Sequence, residues 1–253
     1  MTLVVEIGLL CRRKLVETLR QPTWVFVGLT TPLLYLALFA PLLKSLAGGP
    51  AFPGGAVLDV FVPGILVLIA FGAGMGAGWV IIWELDSGVI ERLRVTPASR
   101  FALLMGTVLR DVVMFVIPAI VVVLVATPFG FHPHWIEMPL LLVLLCMLTA
   151  VISAWSTTLG LNLRQIGSLA AIVTGVQLPL TLLAGILLPL SLAPTWMRII
   201  AHFNPLYYAV QAARTLSNGT IASATVVEGF VVVSGLVVAS LWWSTRTYRR
   251  AVA

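Results

Sequence analysis

The chain has 253 residues, of which 60% are hydrophobic and 9% are charged, and its mean hydropathy is +1.09. Because soluble domains carry about 25% charged residues, this composition excludes a water-solvated fold and predicts one all-α integral membrane domain over residues 1–253. The net charge of +6 therefore informs membrane topology, and we expect no nucleic-acid partner.

The first predicted element is an amphipathic helix over residues 1–21. Apolar side chains recur every three or four positions, and charged side chains fill the rest of the helix surface. We expect this helix to lie flat at the lipid interface, with its Arg and Lys side chains facing anionic head groups. Packing on a partner protein is the alternative. Pro22 then breaks the helix and redirects the chain.

Six apolar runs are long enough to cross a bilayer, which takes about 20 residues. They cover residues 24–43, 60–83, 112–131, 138–163, 166–188 and 228–245. The fifth run continues without charge to Met197 and contains several prolines, so we expect one span followed by a segment that turns back at the membrane surface. An even number of spans places both ends of the chain on one side.

The basic residues indicate which side that is. With the N-terminus inside, the outer segments hold only Lys44, Arg198 and Arg214. This asymmetry follows the positive-inside rule and predicts that both ends are cytoplasmic. The inner cations are Arg12, Arg13, Lys14, Arg20, Arg92, Arg94, Arg100, Arg110, Arg164, Arg246, Arg249 and Arg250. Trp24, Trp83, Trp242 and Trp243 fall at the predicted inner interface, and Trp135 and Trp196 at the outer one.

No catalytic or nucleotide-binding motif is found. Lys14 and Lys44 are the only lysines, and neither follows a glycine as a phosphate-binding loop requires. We therefore expect no catalytic residues and no cofactor in this chain. His132, His134 and His202 fall in predicted outer loops, where the alternatives are a zinc site and ordinary interfacial side chains.

The acidic residues near the spans all fall at predicted span ends. These are Asp59, Glu84, Asp111 and Glu228. Transporters that couple to ion gradients use ionisable groups inside the membrane. The pattern thus argues against an ion-gradient-driven secondary transporter, although sodium sites without carboxylates exist.

The second span contains two overlapping pairs of glycines spaced by four. Gly72 pairs with Gly76, and Gly74 pairs with Gly78. Small residues at this spacing let helix backbones approach closely in lipid. The pattern predicts a helix contact, which either slides during a transport cycle or is static.

The inner loop from Glu84 to Arg100 is the longest polar segment between spans. It contains a short apolar-faced piece between Gly88 and Pro97. A cytoplasmic helix with an apolar face and charged flanks is suited to docking in a groove of a partner protein. The alternative is a solvated turn.

At this loop the chain resembles the membrane subunit of type-2 ABC exporters, the daunorubicin-exporter-like permeases. Their pattern E-x-x-x-G-x-x-E-x-L-x-x-T-P-x-S-R falls here on Glu84, Gly88, Glu91, Leu93, Thr96, Pro97, Ser99 and Arg100. A second match lies in the outer segment, where a G-x-x-x-P, a P-x-W and an N-P-L with a later Arg fall on Gly185, Pro189, Trp196, Asn204, Pro205 and Arg214. One departure is Gln211, where an acidic residue is common, and it leaves an ion pair with Arg214 open.

The resemblance implies an efflux permease subunit in the cytoplasmic membrane of a bacterium. Residues 86–97 would form a coupling helix on a cytoplasmic ATP-binding subunit, present in two copies, which carries the ATP and magnesium. A second permease, identical or homologous, would complete the transporter, and short outer helices between spans five and six would not cross. The cargo would be a drug or a lipid-like amphiphile. The expected ATPase contacts are Glu84, Gly88, Glu91, Arg92, Leu93, Thr96 and Pro97, of which Glu91 and Arg92 are the strongest candidates.

Three other classes of function compete with this interpretation. They are an ion-gradient-driven transporter, a membrane enzyme and a non-transporting membrane subunit. The absence of a catalytic constellation disfavours the enzyme.

Overall fold

The computed structural model describes residues 3–20, 22–44, 57–94, 99–186, 190 and 193–251. Within these ranges the chain forms ten α-helices and no β-strand, which confirms the all-α prediction. The helices are α1 (Leu3–Leu19), α2 (Pro22–Lys44), α3 (Val57–Asp86), α4 (Val89–Arg94), α5 (Arg100–Ala126), α6 (Met138–Leu163), α7 (Ile166–Leu183), α8 (Thr195–Ala201), α9 (Pro205–Ser217) and α10 (Ala224–Ala251). Thr127–Phe129 continues α5 as a 3-10 turn.

Five of these helices, α3, α5, α6, α7 and α10, are long and apolar enough to cross a membrane. The predicted first span corresponds to α2, in which Gly28–Phe39 is a shorter apolar helical stretch. With 7 and 13 residues, α8 and α9 are too short to span. They lie between α7 and α10 in the chain, as expected for the segment that turns back.

The central pair of helices is α3 and α6, around which α5, α9 and α10 pack. Their apolar side chains form the main core, which includes Phe61, Phe71 and Leu144. By contrast, Leu169 and Val173 are the buried residues of α7. This helix therefore lies at the periphery and leaves most of its apolar surface uncovered.

Several helices differ in extent from the predicted spans. The helix of the predicted third span, α5, begins at Arg100 and not near residue 112, because Ser99 caps it: the Ser99 hydroxyl accepts a hydrogen bond from the Ala102 amide at 3.1 Å. The last helix, α10, runs over 28 residues and extends beyond the predicted span 228–245 at both ends. The fifth span ends at Leu183 rather than near residue 188.

Candidate functional site

The predicted coupling element is built around a sharp turn at Gly88. The chain leaves α3 at Asp86 and re-enters a helix at Val89, so only two residues separate α3 from α4. Gly88 has φ +69°, a left-handed conformation that favours glycine because other residues place Cβ too close to the backbone. Its amide donates to the Leu85 carbonyl and its carbonyl accepts from the Arg92 amide. Gly88 therefore ends one helix and begins the next.

Helix α4 is anchored by one buried side chain and has charged side chains on its exposed surface. Ile90 is 3% exposed and packs in a second apolar cluster with Ile81, Leu104 and Tyr248, while the neighbouring Glu91 and Arg92 are exposed. The described helix spans Val89–Arg94, within the predicted range 86–97. Of the other predicted contacts, Leu93 lies in α4, and Thr96 and Pro97 lie outside the described residues.

Glu84, the first residue of the predicted coupling motif, is buried and not available for docking. Its two carboxylate oxygens each lie 2.8 Å from Lys14 Nζ, and the two side chains are 4% and 7% exposed. Lys14 Nζ also donates to Thr107 Oγ1 at 2.8 Å. One ionic cluster thus joins α1, α3 and α5 two residues before the end of α3. We accordingly assign Glu84 to the attachment of α1 and not to the surface of α4.

A second buried ionic cluster lies one turn further along α5. Arg110 Nε donates to Asp111 Oδ1 at 2.9 Å, and Nη2 of the same guanidinium contacts the same oxygen. Ser153 on α6 donates to Asp111 Oδ2 at 2.6 Å. Arg110 also reaches Thr18 Oγ1 on α1 at 3.4 Å. This cluster ties α1, α5 and α6 together.

The second cluster changes the position assigned to Asp111 relative to its helix. Asp111 was expected at a span end, but it lies eleven residues inside a helix that begins at Arg100, and it is 1% exposed. A buried carboxylate within a span is normally paired or functional. Here Arg110 and Ser153 neutralise it and satisfy its hydrogen bonds, so the arrangement is that of a structural ion pair.

Helix α1 is held against the bundle along its length. It packs mainly on α5, where a Cβ added to Gly106 would lie 2.8 Å from Leu10 Cβ. Glu6 accepts a hydrogen bond from the Ser99 amide at 3.2 Å. Burial raises the pKa of the Cys11 thiol on the same helix, which keeps it protonated at neutral pH. Lys14 therefore faces the protein and not lipid head groups as predicted, whereas Arg12, Arg13 and Arg20 are exposed.

The two glycine pairs of α3 face different surroundings. A Cβ at Gly74 would lie 2.8 Å from the Thr149 carbonyl and 2.9 Å from the Ser153 amide, and Gly78 is as close to Ser156 on α6. The Ser156 hydroxyl also accepts from the Gly78 amide and donates to the Met75 carbonyl. Nothing lies within 4 Å of a Cβ at Gly72 or Gly76. Of these four glycines, only Gly74 and Gly78 form a close contact within the described part of this chain.

The N-P-L motif of the outer segment is a helix start that also caps another helix. Asn204 Oδ1 accepts from the Leu206 amide at 3.0 Å, which makes Asn204 the N-cap of α9, and Pro205 occupies the first helical position. Asn204 Nδ2 donates to the Leu180 carbonyl at 2.7 Å. The start of α9 is thereby fixed to the last turn of α7.

Arg214 satisfies backbone carbonyls in place of an acidic partner. Its Nη2 donates to the carbonyls of Gly185 at 2.7 Å and Ile186 at 3.2 Å, and its Nε donates to Val60 on α3 at 3.2 Å. Burial lowers the pKa of this guanidinium to about 10, so it stays charged at neutral pH. A charge at the carboxyl end of α7 suits the helix dipole, and Gln211 is thus compatible with this role.

The remaining outer residues do not form a metal site. His132 lies beside Asp59, His134 Nδ1 contacts the Ser217 carbonyl at 2.9 Å, and His202 Nδ1 contacts the Arg198 carbonyl at 2.8 Å. No group of three His, Cys, Asp or Glu residues that could hold a metal occurs in the described ranges. Trp196 is 62% exposed, and Pro189 lies outside the described residues.

Residues 5–217 match the ABC-2 type transporter family, which is most of the chain. The chain belongs to this family. Among its relatives, the transport permease ycf38 of Cyanophora paradoxa is 29% identical over 83% of this chain and 73% of the relative. The daunorubicin resistance ABC transporter permease DrrB1 of Streptomyces coeruleorubidus is 27% identical over 86% and 77%. The inner membrane transport permease YadH of Escherichia coli K12 is 26% identical over 73% and 71%.

Family membership makes this protein a multi-pass membrane permease and confirms the resemblance found from its motifs. The two buried ionic clusters were not found from the sequence. Topology analysis counts Lys14 and Arg110 only as inner cations, because the positive-inside rule considers charge without regard to burial. The available signal was the periodicity of α1, where Leu10, Cys11 and Lys14 share one helix face.

Proposed function

We propose that this ABC-2 permease is the membrane subunit of an ATP-driven exporter. It has no nucleotide-binding loop of its own, and permeases of this family work with a cytoplasmic ATP-binding subunit. Two copies of that subunit, carrying ATP and magnesium, would energise a pair of permeases in the cytoplasmic membrane of a bacterium. The observation that carries the proposal is α4, a short helix with exposed charged side chains that follows α3 after only two residues.

The coupling element is α4, and its contacts with the ATPase subunit are Glu91 and Arg92. Both side chains are exposed, and Ile90 on the opposite side fixes the helix to the bundle. The turn at Gly88 leaves α4 little freedom relative to α3. A displacement of α4 would consequently be transmitted to the end of α3 and, through the Lys14–Glu84 ion pair, to α1 and α5.

The second permease packs on the surface that one chain leaves open. Helix α7 has few buried residues, and a Cβ added at Gly72 or Gly76 of α3 would meet nothing within 4 Å among the described residues. A G-x-x-x-G pair facing lipid supports a close contact between helices. The partner would be an identical or homologous chain, and the cargo would pass along the contact between the two permeases.

The cargo is an amphiphilic or hydrophobic compound, such as a drug or a lipid-like molecule, moved outward. The buried charges within the described bundle lie in the ion pairs and carbonyl contacts given above, so its spans offer no free cation for a strongly anionic cargo. A relative is named as a daunorubicin resistance permease, which agrees with this class. An apolar cargo requires no charged ligand inside the membrane.

The decisive experiment reverses one exposed charge on α4. The variant Glu91→Arg should insert and fold normally but lose the ATPase subunit on co-purification, because like charges across an interface cost several kcal/mol and weaken association by more than about tenfold. The matched control is Glu228→Arg, an exposed charge reversal on α10. If the two variants co-purify with the ATPase and transport equally well, α4 is not the coupling helix.

The orientation has an independent test. In a chain whose two cysteines are replaced by serine, a thiol introduced by Ile136→Cys should react with an impermeant reagent from outside only, since Ile136 is 82% exposed and lies in the α5–α6 connection. A thiol introduced by Arg92→Cys should react from inside only. A reversed labelling pattern would contradict the prediction that both termini are cytoplasmic.

Asp111 favours one competing function, an ion-gradient-driven transporter. Buried carboxylates within spans serve as proton or ion relays in such proteins. Its pairing with Arg110 and its hydrogen bond from Ser153 argue instead for a structural role. The test is cargo transport in proteoliposomes that contain the permease alone and carry a proton gradient. Transport there would replace the ATP-driven proposal, and its absence together with activity on adding the ATPase and ATP supports that proposal.

A further inference from the structure

An apolar groove runs between α3, α6 and α10, and α7 and α9 contribute to one end. Its volume is about 420 Å³, which is within the range of small-molecule sites. The wall is almost entirely apolar and aromatic, and includes Phe71, Trp155, Trp242 and Trp243. One hydroxyl lies among these lining residues, and Ser240 Oγ already donates to the Val237 carbonyl at 3.2 Å. The groove therefore suits a hydrocarbon chain and offers nothing to a polar solute.

The same face of α10 continues from the groove into a row of arginines. Arg246 lies one turn after Trp242, and its guanidinium carbon is 5.6 Å from the centre of that indole ring. Arg249 and Arg250 follow at the next turn, and all three are exposed. Arg100 Nη1 donates to the Arg249 carbonyl, which brings a fourth cation to this end. None of these four has a carboxylate within 4 Å in the described ranges.

We propose that the groove and the arginines together bind one bilayer phospholipid with a net negative headgroup. One acyl chain lies along the apolar wall, and the phosphate lies at Arg246. Ala239 in the wall and Arg246 are seven residues apart, which is about 10 Å along a helix and matches a chain directly below its headgroup. A zwitterionic headgroup adds a positive charge beside these arginines and is disfavoured, whereas anionic headgroups bind basic pockets between spans.

This lipid is a resident ligand and not the cargo. It occupies a groove within one chain, between α10 and the central pair, whereas the proposed cargo path lies between two permeases. Bound there, it covers the apolar face of α10 and joins that helix to α3 and α6. The proposal consequently does not depend on the coupling or export proposals above.

The first test counts retained lipids by native mass spectrometry of the purified full chain, supplied with equal amounts of phosphatidylglycerol and phosphatidylcholine. We expect phosphatidylglycerol to be retained preferentially, and Arg246→Ala to lower that preference about fivefold, since one arginine near a membrane surface contributes that much. Ala239→Trp should fill the groove and remove the retained lipid. The control Val238→Trp adds the same ring at a position that is 70% exposed and should retain it.

Equal retention of the two lipids, or equal lipid counts in Ala239→Trp and Val238→Trp, overturns the proposal. So does a change from dimer to monomer in Ala239→Trp with an unchanged lipid count, because a second copy of the chain would then cover the groove.

A second measurement does not require a variant that fills the groove. Phosphatidylglycerol with brominated acyl chains, present as a minor lipid in vesicles, should quench the tryptophan fluorescence of the wild-type chain more than brominated phosphatidylcholine does. The excess should fall in the double variant Trp242→Phe/Trp243→Phe, which leaves Trp155 in the groove wall and five tryptophans elsewhere, since the chain has 8 in all. Equal quenching by both lipids in the wild-type chain refutes the site.

Discussion

The ion pair between Lys14 and Glu84 predicts a strongly non-additive pair of substitutions. Both carboxylate oxygens lie 2.8 Å from Lys14 Nζ, and at an effective dielectric constant of about 20 the attraction at this distance is about 6 kcal/mol. That attraction offsets the cost of removing two ions from water. The substitution Lys14→Met removes the attraction and leaves Glu84 buried without a partner. We expect it to lower the free energy of unfolding by about 3–5 kcal/mol.

The double variant Lys14→Met/Glu84→Met should be more stable than either single variant. Replacing both ions with apolar side chains of similar size removes the desolvation cost together with the attraction, and such replacements are often neutral or stabilising. Denaturant titration in detergent micelles, followed by circular dichroism, measures all three variants. The double-mutant cycle then gives the coupling energy of the pair directly.

The control for this cycle is Arg12→Met, which removes an exposed cation from the same helix and should change stability by less than about 0.5 kcal/mol. The reasoning fails if the costs of Lys14→Met and Glu84→Met simply add. Additive costs would mean that the two groups do not interact in the folded protein, and the attachment of α1 to α3 would then need another explanation.

Three further predictions concern the backbone. Gly74→Ala places a methyl group against the backbone of α6 and should lower the free energy of unfolding by about 1–3 kcal/mol. Gly72→Ala is the control, because its methyl group would contact no described residue within 4 Å, and it should not lower stability. Equal thermal midpoints for the two variants would contradict the close contact between α3 and α6. Asn204→Ala removes a helix cap and should lower stability by about 1 kcal/mol, while the exposed Asn218→Ala serves as its control, and indistinguishable unfolding curves would argue against the cap. Gly88→Ala forces alanine into a left-handed conformation, which costs about 1–2 kcal/mol. The variant should reduce cargo-stimulated ATP turnover, because the strained turn displaces α4. Unchanged turnover would show that the position of α4 does not depend on this turn.

Composition and periodicity predicted most of the fold, because a helix is the only open-chain element that satisfies its own backbone hydrogen bonds in lipid. The predicted span limits differ from the helix ends where polar residues lie inside a helix. The adjacent charges Arg110 and Asp111 ended the apolar run that hydropathy detects, so α5 was predicted to start after them. Ser99 before an apolar stretch was a visible N-cap signal for the true beginning of α5.

Side-chain pairings could not be predicted in the same way. Lys14 and Glu84 are 70 residues apart, and Asp111 and Ser153 are 42 apart. The position of each partner depends on how α1, α5 and α6 pack, which a single sequence does not encode locally. The outer motif was easier to interpret, because Asn204 and Pro205 form a local helix start. The carbonyls that accept from Arg214, however, belong to the distant α3 and to residues just after α7.

The distribution of polar contacts separates a rigid part of the bundle from a looser one. Helices α1, α3, α5 and α6 are joined by buried ion pairs and by Ser156 at Gly78, and moving one of them relative to another would expose an unpaired charge to hydrocarbon. Among the described residues, side-chain hydrogen bonds link α7 to the rest of the bundle at its carboxyl end. Asn204 donates to the Leu180 carbonyl in the last turn, and Arg214 donates to the Gly185 carbonyl just after the helix. If α4 receives force from the ATPase subunit, the rigid group moves with it as one body. We expect the change of shape that opens a path for cargo to occur where α7 meets this group, with α7 pivoting at the end that Asn204 and Arg214 hold.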